Sequence, residues 1–259
     1  MNLYTSFYNE INIERKKELL FCIRKNISNK YLSNIYILCD SGYEELNELK
    51  ENKLKIILIE KRPTFNDFIL FVNKNNNAEM SIIANSDIYF DSTILIAKEL
   101  LNKNEVFCLT RWDFNPQGKL NFYENFKSQD AWVFVGKLPE NIGNYFMGLP
   151  GCDNRFAKEL FDSEYNIKNP SLTIKAIHVH SSNLRNYHKT ADRVIGEYAY
   201  PLPTELKNHK TQWGQLKEYE LRLKYLHRIW RNDLEGVNHT LLERLSSRIT
   251  SFYLKYLQK

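Results

Sequence analysis

The chain has 259 residues, 43% of them hydrophobic and 14% aromatic, and a formal charge of +5. That length suits one α/β domain, or one domain with an appendage, and is long enough for a central sheet covered on both faces. The basic surplus fits anionic ligands such as nucleotide diphosphates, or acidic lipid; it is too small to imply nucleic-acid binding, and no apolar run approaches the roughly 18 residues that span a bilayer.

Residues 3–8 form a short apolar and aromatic run, read as a first strand. Asn12 is placed to cap a helix over 13–26, whose Leu19, Leu20, Cys22 and Ile23 supply an apolar face. Residues 34–39 are continuously apolar and end at Asp40-Ser41-Gly42, the pattern of a buried strand followed by a turn. Residues 55–59 repeat it, and Thr64 then opens a helix over 65–75. Strand 80–84, helix 91–101 and strand 106–110 follow. This alternation predicts a doubly wound, mostly parallel sheet.

The second half is less regular. Residues 131–135 and 172–180 read as strands and 152–161 as a helix. From about 215 the composition shifts to charged helix, with Pro201-Leu202-Pro203 as the candidate linker. The expected division is therefore 1–200 as catalytic domain and 201–259 as a C-terminal helical extension. In that extension Leu221, Tyr225, Leu226, Ile229 and Trp230 fit one helical face beside several basic residues. Such a face packs on its own domain, on a second subunit in a homodimer, or peripherally on an anionic membrane. Cys22, Cys39, Cys108 and Cys152 contain no C-x-x-C pair and speak against a structural zinc site. With no visible secretory leader, the expected location is cytoplasmic.

Several polar clusters sit where strands end, the place where open parallel sheets bind ligands. Strand 80–84 runs into Asn85-Ser86-Asp87. A carboxylate there either holds a divalent cation against a diphosphate or caps the next helix. After strand 55–59 come Arg62, suited to phosphate, and Asp67, suited to a ribose hydroxyl or base edge or to a helix first turn. Arg111 follows strand 106–110 and either aids the donor or braces the cleft. Asp130 and Trp132, at the entry to strand 131–135, suit a sugar's hydroxyls and apolar face, or a turn with a core indole. Asp153 opens a helix, followed by Asn154 and Arg155 as acceptor-side candidates. It would deprotonate an acceptor hydroxyl, or simply cap. His178 and His180 are two apart on a strand and share a face, so one of them could complete a metal shell begun by Asp87.

Together the N-S-D-I-Y-F-D and S-Q-D-A-W strings, with the segments around them, resemble GT-A glycosyltransferases, strongest from Arg62 to Asn186. The resemblance implies a Rossmann-like nucleotide-binding half, a D-x-D metal motif and an acceptor half with a catalytic carboxylate. The D-x-D equivalent reads Asn85-Ser86-Asp87, with Asn in place of the first acid. By the same resemblance Asp153 is the base of inverting members and His178 or His180 a metal ligand. Tyr4, Thr5 and Phe7 lie where the donor base docks, with Tyr4 or Phe7 stacking on it. The implied cofactor is Mn²⁺ or Mg²⁺, the donor a nucleotide-diphosphate sugar with UDP favoured, and the acceptor a glycan or lipid-linked saccharide. The alternatives are a sugar-phosphate nucleotidyltransferase and a non-catalytic glycan-binding protein.

Overall fold

The computed structural model describes residues 1–49, 51–75, 80–115, 117–125, 127–179, 188 and 190–225. The first half alternates as its apolar runs dictate. It comprises β1 (Asn2–Phe7), α1 (Ile13–Ser28), β2 (Asn34–Cys39), a short α2 (Tyr43–Asn47), β3 (Leu54–Leu58), α3 (Phe65–Asn75) and β4 (Met80–Ala84). Then come β5 (Ile88–Phe90), α4 (Ile94–Leu100), β6 (Glu105–Leu109), β7 (Arg111–Phe114), β8 (Leu120–Phe122) and β9 (Ala131–Val135). The chain continues through α5 (Cys152–Asp162), β10 (Asn166–Lys168), β11 (Ala176–His178) and α6 (Gln212–Lys224).

Seven strands form the main sheet in the order β10-β6-β9-β4-β1-β2-β3. β9 runs antiparallel to both of its neighbours, β4 and β6, and every other pairing is parallel. β4 and β6 are buried at every position, which is why their sequences show no polar alternation. One core face gathers Leu19, Ile23, Ile82 and Val133; the other gathers Phe65, Phe68, Trp132 and Phe156. All four cysteines are buried and free.

A second sheet, β5-β11-β7-β8, departs from the sequence-based expectation. Its strands are three or four residues long, too short to show a period. The apolar run 172–180 is strand only at 176–178; before it, Thr173 and Ile174 donate to the Pro170 carbonyl in a turn. The helix expected at 91–101 begins at Ile94, because Asp91 Oδ1 accepts from the Thr93 amide and fixes a turn.

The Pro201–Pro203 segment is no free tether. Leu202 is buried, Asn169 Nδ2 donates to the Pro201 carbonyl, and Pro203 bridges Asn169. α6 docks on the small sheet through Trp213 against Trp112 and an ion pair from Lys217 to Glu124 at 2.6 Å. Its Leu221 is buried and Tyr225 donates to the Glu124 carbonyl, so this part of the extension packs on its own domain. Leu226, Ile229 and Trp230 lie outside the described residues. No described helix is long and apolar enough to cross a membrane.

Candidate active site

The strand order reverses at β1. The chain moves outward through β2 and β3, then returns to β4 on the other side of β1. A crevice at such a switch point follows from the connectivity alone. Here it is a cleft of about 490 Å³, walled by the ends of β1, β2 and β4 and by the loops after β3 and β9.

Asp87 anchors its floor. The β4–β5 turn is closed by the Ile88 amide donating to the Asn85 carbonyl, and the Val179 amide holds the Asp87 carbonyl. The Asp87 side chain is buried. Its Oδ2 accepts from Arg15 Nη2 at 2.5 Å and faces His178 Nε2 at 3.2 Å, while its Oδ1 is buried with no hydrogen-bond partner. Burial opposes its charge, but His178 and then Arg15 outweigh that and hold its carboxyl far below the usual range.

His178 stands between two acids because β11 lies between β5 and β7, paired with Ile88 and Asp113. Its Nδ1 meets Asp113 Oδ1 at 2.9 Å. Burial works against protonation of the imidazole, yet Asp87 and then Asp113 raise its pKa to about 9. His180 lies outside the described residues.

Asn85 sits where the resemblance puts an acid, and the reason is visible. Its Nδ2 donates to Asp130 Oδ1 at 3.0 Å, so an acid here would face a second carboxylate. Asp130 also accepts from Ser128 Oγ at 3.1 Å and from Arg111 Nη1 at 3.5 Å. Behind it, in the first turn of α5, Asp153 accepts from the Gln129 amide at 3.1 Å. Burial, and then the charge of Asp130, push Asp153 up to about 7.

Of the expected site residues, Phe7, Arg62, Asn85 and Ser86 line the cleft, as do Asp87, Arg111, Asp130 and His178. Arg62 donates from Nη2 to the Met147 carbonyl at 2.5 Å and lies over the Phe146 ring. It thereby ties the loop after β3 to the loop after β9.

Others do not face the cleft. Tyr4 is fully buried and stacks on Tyr36 at 4.9 Å; the β1 pleat turns it into the α3 side of the core, so it cannot stack on a ligand. Thr5 is likewise buried. Trp132 is packed edge-on against Phe65 at 4.8 Å, because β9 is covered on both faces. Asp67 caps its own helix, accepting from the amide and hydroxyl of Thr64 at 2.8 Å each. Asn154 is buried and donates to the Lys127 carbonyl, and Arg155 pairs with Glu159 one turn along α5. Asp153 stands behind the cleft wall formed by Asp130.

Two cleft-organising residues carry no local sequence signal. Arg15 enters because α1 starts at the carboxyl end of β1, and Asn12 caps that start by accepting from the Arg15 amide at 3.0 Å. Asp113 enters only through the pairing of β7 with β11.

No protein-family model matches the chain, and no curated protein does. Among solved structures, it is similar to a mannosyltransferase from Pyrobaculum calidifontis in complex with GDP-Man and Mn²⁺, at 14% identity and a TM-score of 0.50, over 72% of this chain and 58% of that one. The chain thus spans little more than half of that protein. S. aureus TarS 1–349 in complex with UDP-GlcNAc matches at 14% identity and a TM-score of 0.43, over 91% of this chain and 68% of that one. A 4-diphosphocytidyl-2C-methyl-D-erythritol synthase from Anaerococcus prevotii matches at 13% and 0.43, over 73% and 90%. The mannosyltransferase match and the mostly parallel seven-stranded sheet flanked by helices agree: this chain has the GT-A glycosyltransferase fold.

Proposed function

We propose that the protein is a glycosyltransferase that takes a sugar from a nucleotide-diphosphate donor to a hydroxyl of a glycan or lipid-linked acceptor. The observation that carries this reading is the Asp87 corner. A buried carboxylate with one bare oxygen sits at the switch-point end of β4, among the cleft's cationic side chains. Arg15 and Arg62 supply fixed positive charge suited to a diphosphate. Phe7, Asp40 and Ser41 line the cleft at the ends of β1 and β2 and would hold the nucleoside.

The residues fit a divalent cation that arrives with its diphosphate. Among the described residues no three His, Cys, Asp or Glu side chains form a metal cage. Hard cations bound to nucleotides need few protein ligands, since phosphate oxygens and water complete the shell. Asp87 offers its unpartnered Oδ1, and His178, on giving up the Nε2 proton it holds in the metal-free protein, would have the carboxylate support behind its ring that metal-bound imidazoles usually show. When bound, Mn²⁺ or Mg²⁺ there would offset the charge of the departing diphosphate.

Asp130 orients the acceptor hydroxyl. Asp130, which lines the cleft, receives that hydroxyl's proton and hands it to Asp153 behind it, whose basicity is matched to neutral pH. The acceptor oxygen bonds to the anomeric carbon as the carbon–phosphate oxygen bond breaks, and the nucleoside diphosphate leaves. A single displacement inverts the centre.

The test is nucleoside diphosphate release from a panel of UDP-, GDP- and other nucleotide sugars with Mn²⁺ and candidate acceptors, run beside nucleoside triphosphates with sugar phosphates. Turnover of a nucleotide sugar supports the reading. Pyrophosphate release from the triphosphate arm alone assigns the nucleotidyltransferase instead. Replacing Asp153 by Asn should cut transfer about 10²- to 10⁴-fold with donor affinity retained.

A further inference from the structure

The side chains Asp87, His178, Asp113, Arg111 and Asp130 form one unbroken chain of alternating acids and bases, with successive separations of 3.2, 2.9, 2.9 and 3.5 Å. Its ends are the donor corner and the acid on the acceptor side. Its middle member, Asp113, does not line the cleft. One oxygen, Asp113 Oδ1, accepts both from His178 Nδ1 and from Arg111 Nε.

The backbone dictates this meeting. Asp113 and His178 are register partners on parallel β7 and β11, so their side chains leave the same face. Arg111 and Asp113 are two apart on β7 and share that face. An imidazole has two nitrogens, and an acceptor on one decides what the other presents. With Nδ1–H given to Asp113, Nε2 is turned to Asp87. The same acceptor stops Arg111 from swinging away from Ser128 and Asp130, which its Nη1 reaches.

We propose that Asp113 is a positioning residue, holding the His178 ring and the Arg111 guanidinium in one register so that the donor corner and Asp130 are set together. This rests on the metal–diphosphate reading of the corner. The rival account is a plain ion pair at the rim of the small sheet. The Asp113 side chain is 41% exposed, and an ion pair so open to water adds little to stability. A large functional effect with a small effect on melting would therefore separate the two accounts.

The experiment compares wild type with Asp113→Ala and Asp113→Asn, each checked for melting. Asn keeps an oxygen that accepts from both partners, and Ala does not. The first readout is Mn²⁺ affinity in the presence of UDP or GDP, followed by the paramagnetic resonance signal of free Mn²⁺. Asp113→Ala is expected to bind 10- to 100-fold more weakly, as when other outer carboxylates behind metal-bound imidazoles are removed. Asp113→Asn should stay within about threefold, and both should melt within about 2 °C of wild type. The second readout is the ring-nitrogen NMR spectrum of His178 in the ligand-free protein. A slowly exchanging Nδ1–H should be present in wild type and Asp113→Asn and absent in Asp113→Ala. Unchanged Mn²⁺ affinity in Asp113→Ala overturns the proposal, and so does an equal loss in Asp113→Asn. Wild type that binds no Mn²⁺ with either nucleotide would sink the functional reading itself, while the ring spectrum still decides whether Asp113 holds His178.

Discussion

Asp130 and Asp153 share one corner but are held in opposite ways. Asp130 faces an amide, a hydroxyl and a guanidinium; Asp153 has only backbone and amide donors beside a neighbouring negative charge. The rate of transfer should therefore rise through pH about 7 as Asp153 ionises. Replacing Asp130 by Asn removes the second cause of that raised value, and the acid limb of the pH–rate profile should move downward; an unmoved limb would detach it from Asp153. Stability carries the opposite sign. Folded Asp153 keeps its proton up to about 7, whereas the unfolded residue loses it near 3.8, so this group's contribution falls as pH rises between the two values. Asp153→Asn should gain in melting temperature over wild type between pH 4 and pH 8, readable by calorimetry. At this scale the sequence is readable where a polar residue ends an apolar strand, as at Asp87, Arg111 and Asp130. It is mute for Arg15 and Asp113, whose neighbours are chosen by helix docking and strand pairing. Tyr4 and Phe7 show the same limit, since a strand's sequence does not say which residue meets the cleft.

Among the elements, the loop from β9 to α5 reaches the cleft through Met147 and Gly148. Gly143 holds it at φ +74°, and its amide donates to Glu159 Oε2 at 2.8 Å. A Cβ at this glycine would lie 2.6 Å from the Cβ of Phe65, which begins α3. Gly143→Ala should therefore cost about 2 kcal/mol or more, from strained backbone and overpacking together. Because Arg62 grips Met147 of the same loop, donor binding should weaken as well. Urea unfolding and donor titration would check both; an unchanged midpoint would deny the loop its fixed seat. The long elements are legible in the sequence because a largely buried strand is a nearly continuous apolar run, as in β2, β4, β6 and β9. The small sheet is not, since strands of three or four residues carry too few positions for a period. That sheet brings His178 to Asp87, so the element hardest to read builds the centre of the site.

For the whole molecule, the reversal of strand order at β1 makes one cleft the meeting place of most strand ends. A ligand spanning it contacts β1, β2, β4 and two loops at once and should stabilise the fold as a unit. At a hundredfold excess over its Kd, a donor with Mn²⁺ adds about 2.7 kcal/mol. For a domain of this size that raises the melting temperature by roughly 5–10 °C. The doubly wound plan was legible from the alternation of apolar runs and helical periods, as was the sense that polar strand ends converge. Packing of the extension on its own domain is one of the alternatives the sequence leaves open; the choice among them was not legible, because Asn169 and Glu124, which secure 201–225, are distant in sequence.

The most direct test of the account replaces Asp87 by Ala and follows nucleoside diphosphate release from the nucleotide sugar that wild type turns over, with Mn²⁺ present. Turnover should fall at least a hundredfold, and the Mn²⁺-dependent rise in melting temperature should be lost. An Asp87→Ala protein that turns over donor and responds to Mn²⁺ as wild type does would contradict it.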